Sequence, residues 1–437
     1  MKIQNYQRYV GILRNELTVA MGCTEPAASA LAGAKVSELL NGKVDRLIVK
    51  ASKDMVKNAM GVGLPNCTLK GIQAAVALGA AGGNPDHGLS ILSVLHKNQI
   101  QQALDLVRRT ELMLEQHVPA VYISVQGFND SNTATAVIAL QHERFVHLSC
   151  NGHILLDKPF DEVKEGMPEE STSLKELETM TLSNIFDFAT QINPSEISFL
   201  LDAALTNMEI ARHAMQIDYG LSVGKLACES CRHHPMNLAE AFEQCASYAA
   251  AASDARMAGC AMPVVINSGS GNQGITVSVP LLVLADYLHA SQEKLLRALV
   301  ISNMVALVLS ARKDRLSALC GAFTAAIGAG CAMVYLLGGD VEHMDNVVNT
   351  MVANLTGIIC DGAKATCALK MYSCVSAAAL SCRLAIEGKS PHEESGIVGR
   401  DSFESIEYLS RITHEGMEQT DSTIVSIMLG KQGSGGC

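Results

Sequence analysis

The sequence contains no tryptophan, and aromatic residues make up only 4% of its 437 positions. Charged residues are also scarce, at 18% against 48% hydrophobic. So few charges cannot cover every helix, so many helices must be buried on several sides. Ala, Gly and Ser fill the apolar stretches where aromatics would otherwise stand, and such small side chains predict close helix packing. No basic run occurs and the formal net charge is −11, which excludes a nucleic-acid binder as the leading reading. The opening M-K-I-Q-N-Y-Q-R-Y has no apolar segment of the secretory kind, so the fourteen cysteines read as reduced cytoplasmic thiols. Most of them are then ordinary small buried hydrophobes. Residues 257–285 and 316–339 carry no charged side chain, but a polar loop interrupts the first and glycines the second. Buried central helices are the expectation there, not membrane spans.

The length predicts two or three domains. Apolar positions at helical spacing (Tyr9, Ile12, Leu13, Leu17) predict a first helix over residues 6–20. G-C-T-E-P follows at 22–26, then an Ala-rich helix over 27–40. Thr24 suits the N-cap and Pro26 the first turn, which sets Cys23 just ahead of a helix N-terminus. Backbone N–H groups and the macrodipole there predict a lowered thiol pKa and a reactive Cys23. Alternation predicts strands at 44–51, 120–125, 134–138 and 145–149, with amphipathic helices over 89–114. Residues 58–83 read as a loop plus a helix. The acidic, proline-containing stretch 159–173 reads as a boundary loop, and the pattern beyond it is helical. The expected class is α+β. A predominantly helical catalytic domain (1–43 and 175–437) would carry an inserted α+β domain (44–174).

Chemistry concentrates in three places. Cys320, Cys360 and Cys367 could together hold a [4Fe–4S] cluster and leave one iron open. Forty positions separate the first two, and C-x6-C is no standard cluster run. N-S-G-S-G-N-Q-G, Asn267 to Gly274, is a Gly-rich loop opening a helix, which makes an anion cradle. Asn267, Ser268, Ser270, Asn272 and Gln273 supply polar side chains, and the lack of a P-loop Lys points to a substrate carboxylate. In S-D-A-R-M, Arg256 could hold that carboxylate bidentately or serve a structural ion pair. Lys370, beside Cys367, reads either as a substrate contact or as a surface or ion-pair residue. C-E-S-C (Cys228, Cys231) lacks a second pair for a zinc site. His142 is a minor site candidate, and Cys437 ends a Gly-rich tail.

With G-C-T-E-P, S-D-A-R-M, N-S-G-S-G-N-Q-G-I, R-L-S-A-L-C and I-C-D-G-A-K-A-T-C-A-L-K in this order, the chain resembles the L-cysteine desulfidase family, which is related to the iron–sulfur L-serine dehydratases. The resemblance spans residues 6–428. It implies an oxygen-sensitive [4Fe–4S] lyase that converts L-cysteine to pyruvate, ammonia and sulfide. The family's cluster cysteines fall on Cys320, Cys360 and Cys367, and its proposed base falls on Cys23. His142-Glu143-Arg144 departs from the His-Thr-Asn expected of relatives. Cys437 is similar to the tail cysteine of the serine dehydratases. Three alternatives stand beside this reading. L-serine dehydratase differs only in the leaving group. A pyridoxal-phosphate β-eliminase shares a Ser-x-Gly-Asn loop, but no convincing pair of Schiff-base Lys and phosphate cup is visible. A non-enzymatic iron–sulfur sensor would need a partner element that is not evident. The expected partner is a small amino acid, without nucleic acid or membrane, and a homo-oligomer is left open.

Overall fold

The computed structural model describes residues 2–65, 67, 69–158, 176–228, 233–313 and 317–433. The stretch 159–173, Cys231 and Cys437 lie outside the described residues. The first part of the chain runs α1 (Lys2–Glu16), β1 (Val19–Met21), α2 (Thr24–Leu40), β2 (Arg46–Ala51), α3 (Lys53–Ala59), α4 (Ile72–Ala80), α5 (Lys97–Val107), then β3 (Thr110–Leu114), β4 (Tyr122–Phe128), β5 (Thr133–Ala139), β6 (Phe145–Cys150) and β7 (His153–Asp157). The second part holds α6 (Leu182–Gln191), α7 (Phe199–Gln216), α8 (Val223–Ala227), α9 (Leu238–Met257), β8 (Pro263–Val265), α10 (Gly271–Tyr287), α11 (Gln292–Lys313), α12 (Gly321–Leu336), α13 (Val341–Leu355), α14 (Cys367–Ile386), α15 (Ser402–Arg411) and α16 (Glu418–Gly433). The fold is α+β and mostly helical.

Two large apolar cores, with three small clusters beside them, are present among the described residues. In the larger, α12 packs against α10, α11, α13 and α14. Every residue of α12 except Gly321 and Tyr335 is buried, as a sequence without charge or directional apolar face requires. By length and composition α11 and α14 could cross a membrane, but 78% of the apolar window of α11 lies inside this core.

The second core lies between α2, α4 and a six-stranded sheet of order β3-β2-β4-β5-β6-β7. Only β2 and β3 pair in parallel; the other neighbours are antiparallel. The four strands read from alternation are present. β3 occupies the end of a stretch expected to be helical, and β7 extends the sheet beyond the expected strands. The N-terminal helices separate: α1 joins the helical core through Val10, Ile12 and Leu13, whereas α2 packs in the sheet core. α2 crosses α4 where a Cβ on Gly79 would overlap the carbonyl oxygen of Ala30. That close approach needs glycine.

A two-stranded ribbon joins distant parts of the chain. β1 pairs antiparallel with β8, Val19 opposite Val265 and Met21 opposite Pro263. Buried Asn207 fixes β8: its Oδ1 accepts from Val265 N at 2.8 Å, and its Nδ2 donates to Val265 O at 3.1 Å and Ser278 Oγ at 3.0 Å. The ribbon thereby sets the G-C-T-E-P loop, which follows β1, against the Gly-rich loop, which follows β8.

Candidate active site

Four helix N-termini meet at one pocket of about 130 Å³. Cys23 is the N-cap of α2, Ser270 of α10 and Cys320 of α12, and Cys367 is the first residue of α14. Each of these four residues lines the pocket, together with Cys360. The unpaired N–H groups and positive dipole ends of four long helices make such a place suited to anions.

The backbone brings the two distant cysteines together. Leu319 and Ile359 form an isolated antiparallel bridge. Beside it, Cys320 N donates to Ile358 O at 3.0 Å and Cys360 N to Ala318 O at 2.6 Å. The Cys320 thiol donates to Cys360. This bond lowers the Cys360 thiol to about 5 against its burial, aided by the Lys57 ammonium and the Gly362 N–H. Cys320, as donor and buried, is raised well above the ordinary thiol value. Burial also raises Cys367, although its sulfur accepts from Lys364 N at 3.4 Å.

Cys23 departs from its expected chemistry. It is the N-cap, where the sequence pointed to Thr24, but burial raises its thiol to about 11. Arg256 opposes that rise with its charge and a hydrogen bond to the sulfur, yet desolvation prevails.

Arg256 is not placed as a free carboxylate clamp. One Nη donates to Gly22 O at 3.0 Å and the other to Asn272 Oδ1 at 3.3 Å. The Gly22 carbonyl at a tight turn needs a donor, and Arg256 supplies it. Gly271 at the start of α10 leaves the room, since a Cβ there would overlap the Arg256 Nε.

In the Gly-rich loop, Asn267 and Ser270 exchange backbone hydrogen bonds at 2.9 and 3.1 Å. Ser268, Ser270, Asn272 and Gln273 line the pocket. Asn267 does not: fully buried behind the loop, it donates to Asn303 Oδ1 at 3.0 Å and accepts from Ser268. Its role in the fold is to hold the loop, because a buried amide requires partners. Gln273 Oε1 accepts from Ser310 at 3.1 Å. Lys370 lines the pocket and forms an ion pair with Asp361. His142 and Cys228 lie away from the pocket lining.

Sequence reasoning passed over Glu25, Lys57 and Asn58, all of which line the pocket. Glu25 accepts from Asn58 Nδ2 at 3.0 Å and from Thr24 Oγ1 at 3.3 Å. It stands two residues after Cys23, so its place in G-C-T-E-P was a usable signal. Lys57 is 1% exposed, with Nζ 2.6 Å from Asp421 Oδ1. Nothing in its sequence surroundings beyond Asp54, one turn earlier, marks it.

Among the described residues no three His, Cys, Asp or Glu side chains converge on a point for a single ion. A cluster makes a different demand, because each thiolate binds a different iron. Three soft sulfur donors around one pocket, one already favouring the anion, with helix N-termini behind two of them, fit that demand.

The profile of the family described as "Serine dehydratase alpha chain" matches residues 86–426. The "UPF0597 protein" of Oleidesulfovibrio alaskensis is 39% identical over 429 residues, 98% of this chain and 99% of its own length. Those of Phocaeicola vulgatus and Bacteroides thetaiotaomicron are each 38% identical, covering 98% and 99% of this chain and the same shares of their own. The chain belongs to the serine dehydratase alpha-chain family, a lyase-type family that is iron–sulfur-dependent in general.

Proposed function

We propose that the protein is an iron–sulfur lyase that eliminates the β-substituent of a small amino acid, with L-cysteine as substrate and pyruvate, ammonia and sulfide as products. One observation carries the reading: Cys320, Cys360 and Cys367 share a pocket with Cys23 and the Gly-rich loop. Cys320, Cys360 and Cys367 would hold a [4Fe–4S] cluster, whose open iron supplies a Lewis acid for a soft sulfur leaving group.

The chain's own groups have distinct tasks. Ser268, Ser270 and Asn272 bind the substrate carboxylate at the N-terminus of α10. Glu25, held by Asn58, accepts from the substrate ammonium. Cys23 Sγ takes the α-proton in its thiolate form, and the Arg256 N–H stabilises that thiolate. The thiol is otherwise protonated at neutral pH, so proton removal is limited by the thiolate fraction. Released aminoacrylate tautomerises to the imine, and water completes its hydrolysis.

The family match favours a second reading, in which L-serine is the substrate and hydroxide leaves. Protein prepared without oxygen and supplied with iron and sulfide should form pyruvate from L-cysteine with a larger kcat/KM than from L-serine. A preference for L-serine selects the second reading. A cluster-loaded chain that forms pyruvate from neither overturns both.

A further inference from the structure

Lys57 is absent from the mechanism above, yet its placement is unusual. α3 is only seven residues long, and Lys57 lies on it one turn after Asp54. The side chain is 1% exposed. An ammonium withdrawn so completely from water is strongly disfavoured unless anions meet it. Two do: Asp421 Oδ1 at 2.6 Å and Asp54 Oδ1 at 3.8 Å. Asp421 belongs to α16, the last helix, which packs against α3. A purely structural ion pair could lie anywhere in a core, but Lys57 lines the same pocket as Cys360.

We infer that Lys57 is a positioning residue for the cluster, setting a fixed positive charge in the same pocket lining as Cys360, and that Asp421 on the C-terminal helix holds Lys57 in turn. The inference rests on the cluster reading. Thiolates and an anionic cluster need charge balance in a buried place, and groups behind metal ligands set how firmly the metal is held. The other pocket lysine, Lys370, is more exposed and is paired with Asp361. Lys57 is the ammonium that solvent does not screen. Docking of α16 thus becomes part of the metal site, through a contact spanning 364 positions.

The test reads metal retention instead of turnover. Wild type, Lys57→Met, Lys57→Arg and Asp421→Asn are reconstituted without oxygen, and iron and labile sulfide are counted. Loss of the cluster's visible absorption to a chelator is then timed. Lys57→Met should release its cluster about tenfold faster than wild type, the scale typical of groups behind metal ligands. Lys57→Arg should recover part of that, and Asp421→Asn should fall between Lys57→Met and wild type. A Lys57→Met chain that keeps its cluster as long as wild type overturns the inference while leaving the cluster reading intact. Should Lys57→Met fail to fold, Asp421→Asn decides, and a wild-type release rate in it overturns the inference. A wild-type chain that takes up no iron overturns the cluster reading, and this inference with it.

Discussion

Arg256 donates to the carbonyl oxygen of Gly22 at 3.0 Å and, from the same guanidinium, to the thiol of Cys23. One side chain thus fixes the turn that presents the thiol and offsets part of the burial that holds the proton on it. The base form is the thiolate, and burial raises the thiol to about 11. Between pH 7 and 10, kcat/KM should therefore rise with pH, by up to tenfold per unit. Arg256→Met removes the opposing charge, so its profile should shift to higher pH and its rate at pH 8 should fall. Cys23→Ser should keep iron and lose turnover. A profile flat over this range, or an active Cys23→Ser chain, removes Cys23 from the role of base.

Cys360 accepts from the Cys320 thiol, and the two are joined by the Leu319–Ile359 bridge. Cys360→Ala should leave the bridge, a backbone contact, and abolish stable cluster binding. Cys382, a buried thiol of α14 that does not line the pocket, is the control. Cys382→Ala should retain the iron and sulfide content of wild type. Iron content equal in both variants would remove Cys360 from the ligand set.

How much of this was visible in the sequence depended on what kind of residue carried the signal. Cys23, Cys320, Cys360 and Cys367 announce themselves by chemistry, and their motifs survive any uncertainty about the fold. What the sequence could not show is that Leu319 and Ile359 pair, because a single bridge has no periodicity. The ribbon of β1 and β8 escaped for the same reason: three residues per strand are too few to alternate. That α2 packs in the sheet core and not with the helical domain was not legible, because its Ala-rich sequence has hardly any preferred apolar face to mark which core it joins. The Cys23 thiol was misjudged because burial, which decides it, is a property of the whole fold. Lys57 was missed because its partner Asp421 lies at the other end of the chain.

Gly79 is one of two glycines, with Gly33, at which α4 and α2 approach backbone to backbone, and a Cβ there meets backbone, which cannot turn aside as a side chain would. Gly79→Ala should cost about 1–3 kcal/mol or more through overpacking. Thermal unfolding of the iron-free chain should show the loss. Gly79 does not line the pocket, so the iron content of folded, reconstituted protein should stay at the wild-type level. An unchanged melting temperature would mean that the two helices separate more easily than their packing indicates.

Asn207 lies away from the pocket and reaches it through the ribbon and, by Ser278, through α10, which makes it a test of whether this support positions Cys23. Its amide satisfies both the N–H and the C=O of Val265, and β8 in turn aligns β1. Asn207→Ala leaves buried backbone groups without partners, at about 1–3 kcal/mol for a lost buried hydrogen-bonding group. Thermal stability should fall by that scale. Because Cys23 follows β1 by two residues, kcat should fall as well, while the iron content should not, since no cluster cysteine lies on the ribbon. A variant that loses stability but keeps full kcat would show that Arg256 and the Gly22 carbonyl suffice to place the thiol, with the ribbon serving the fold alone.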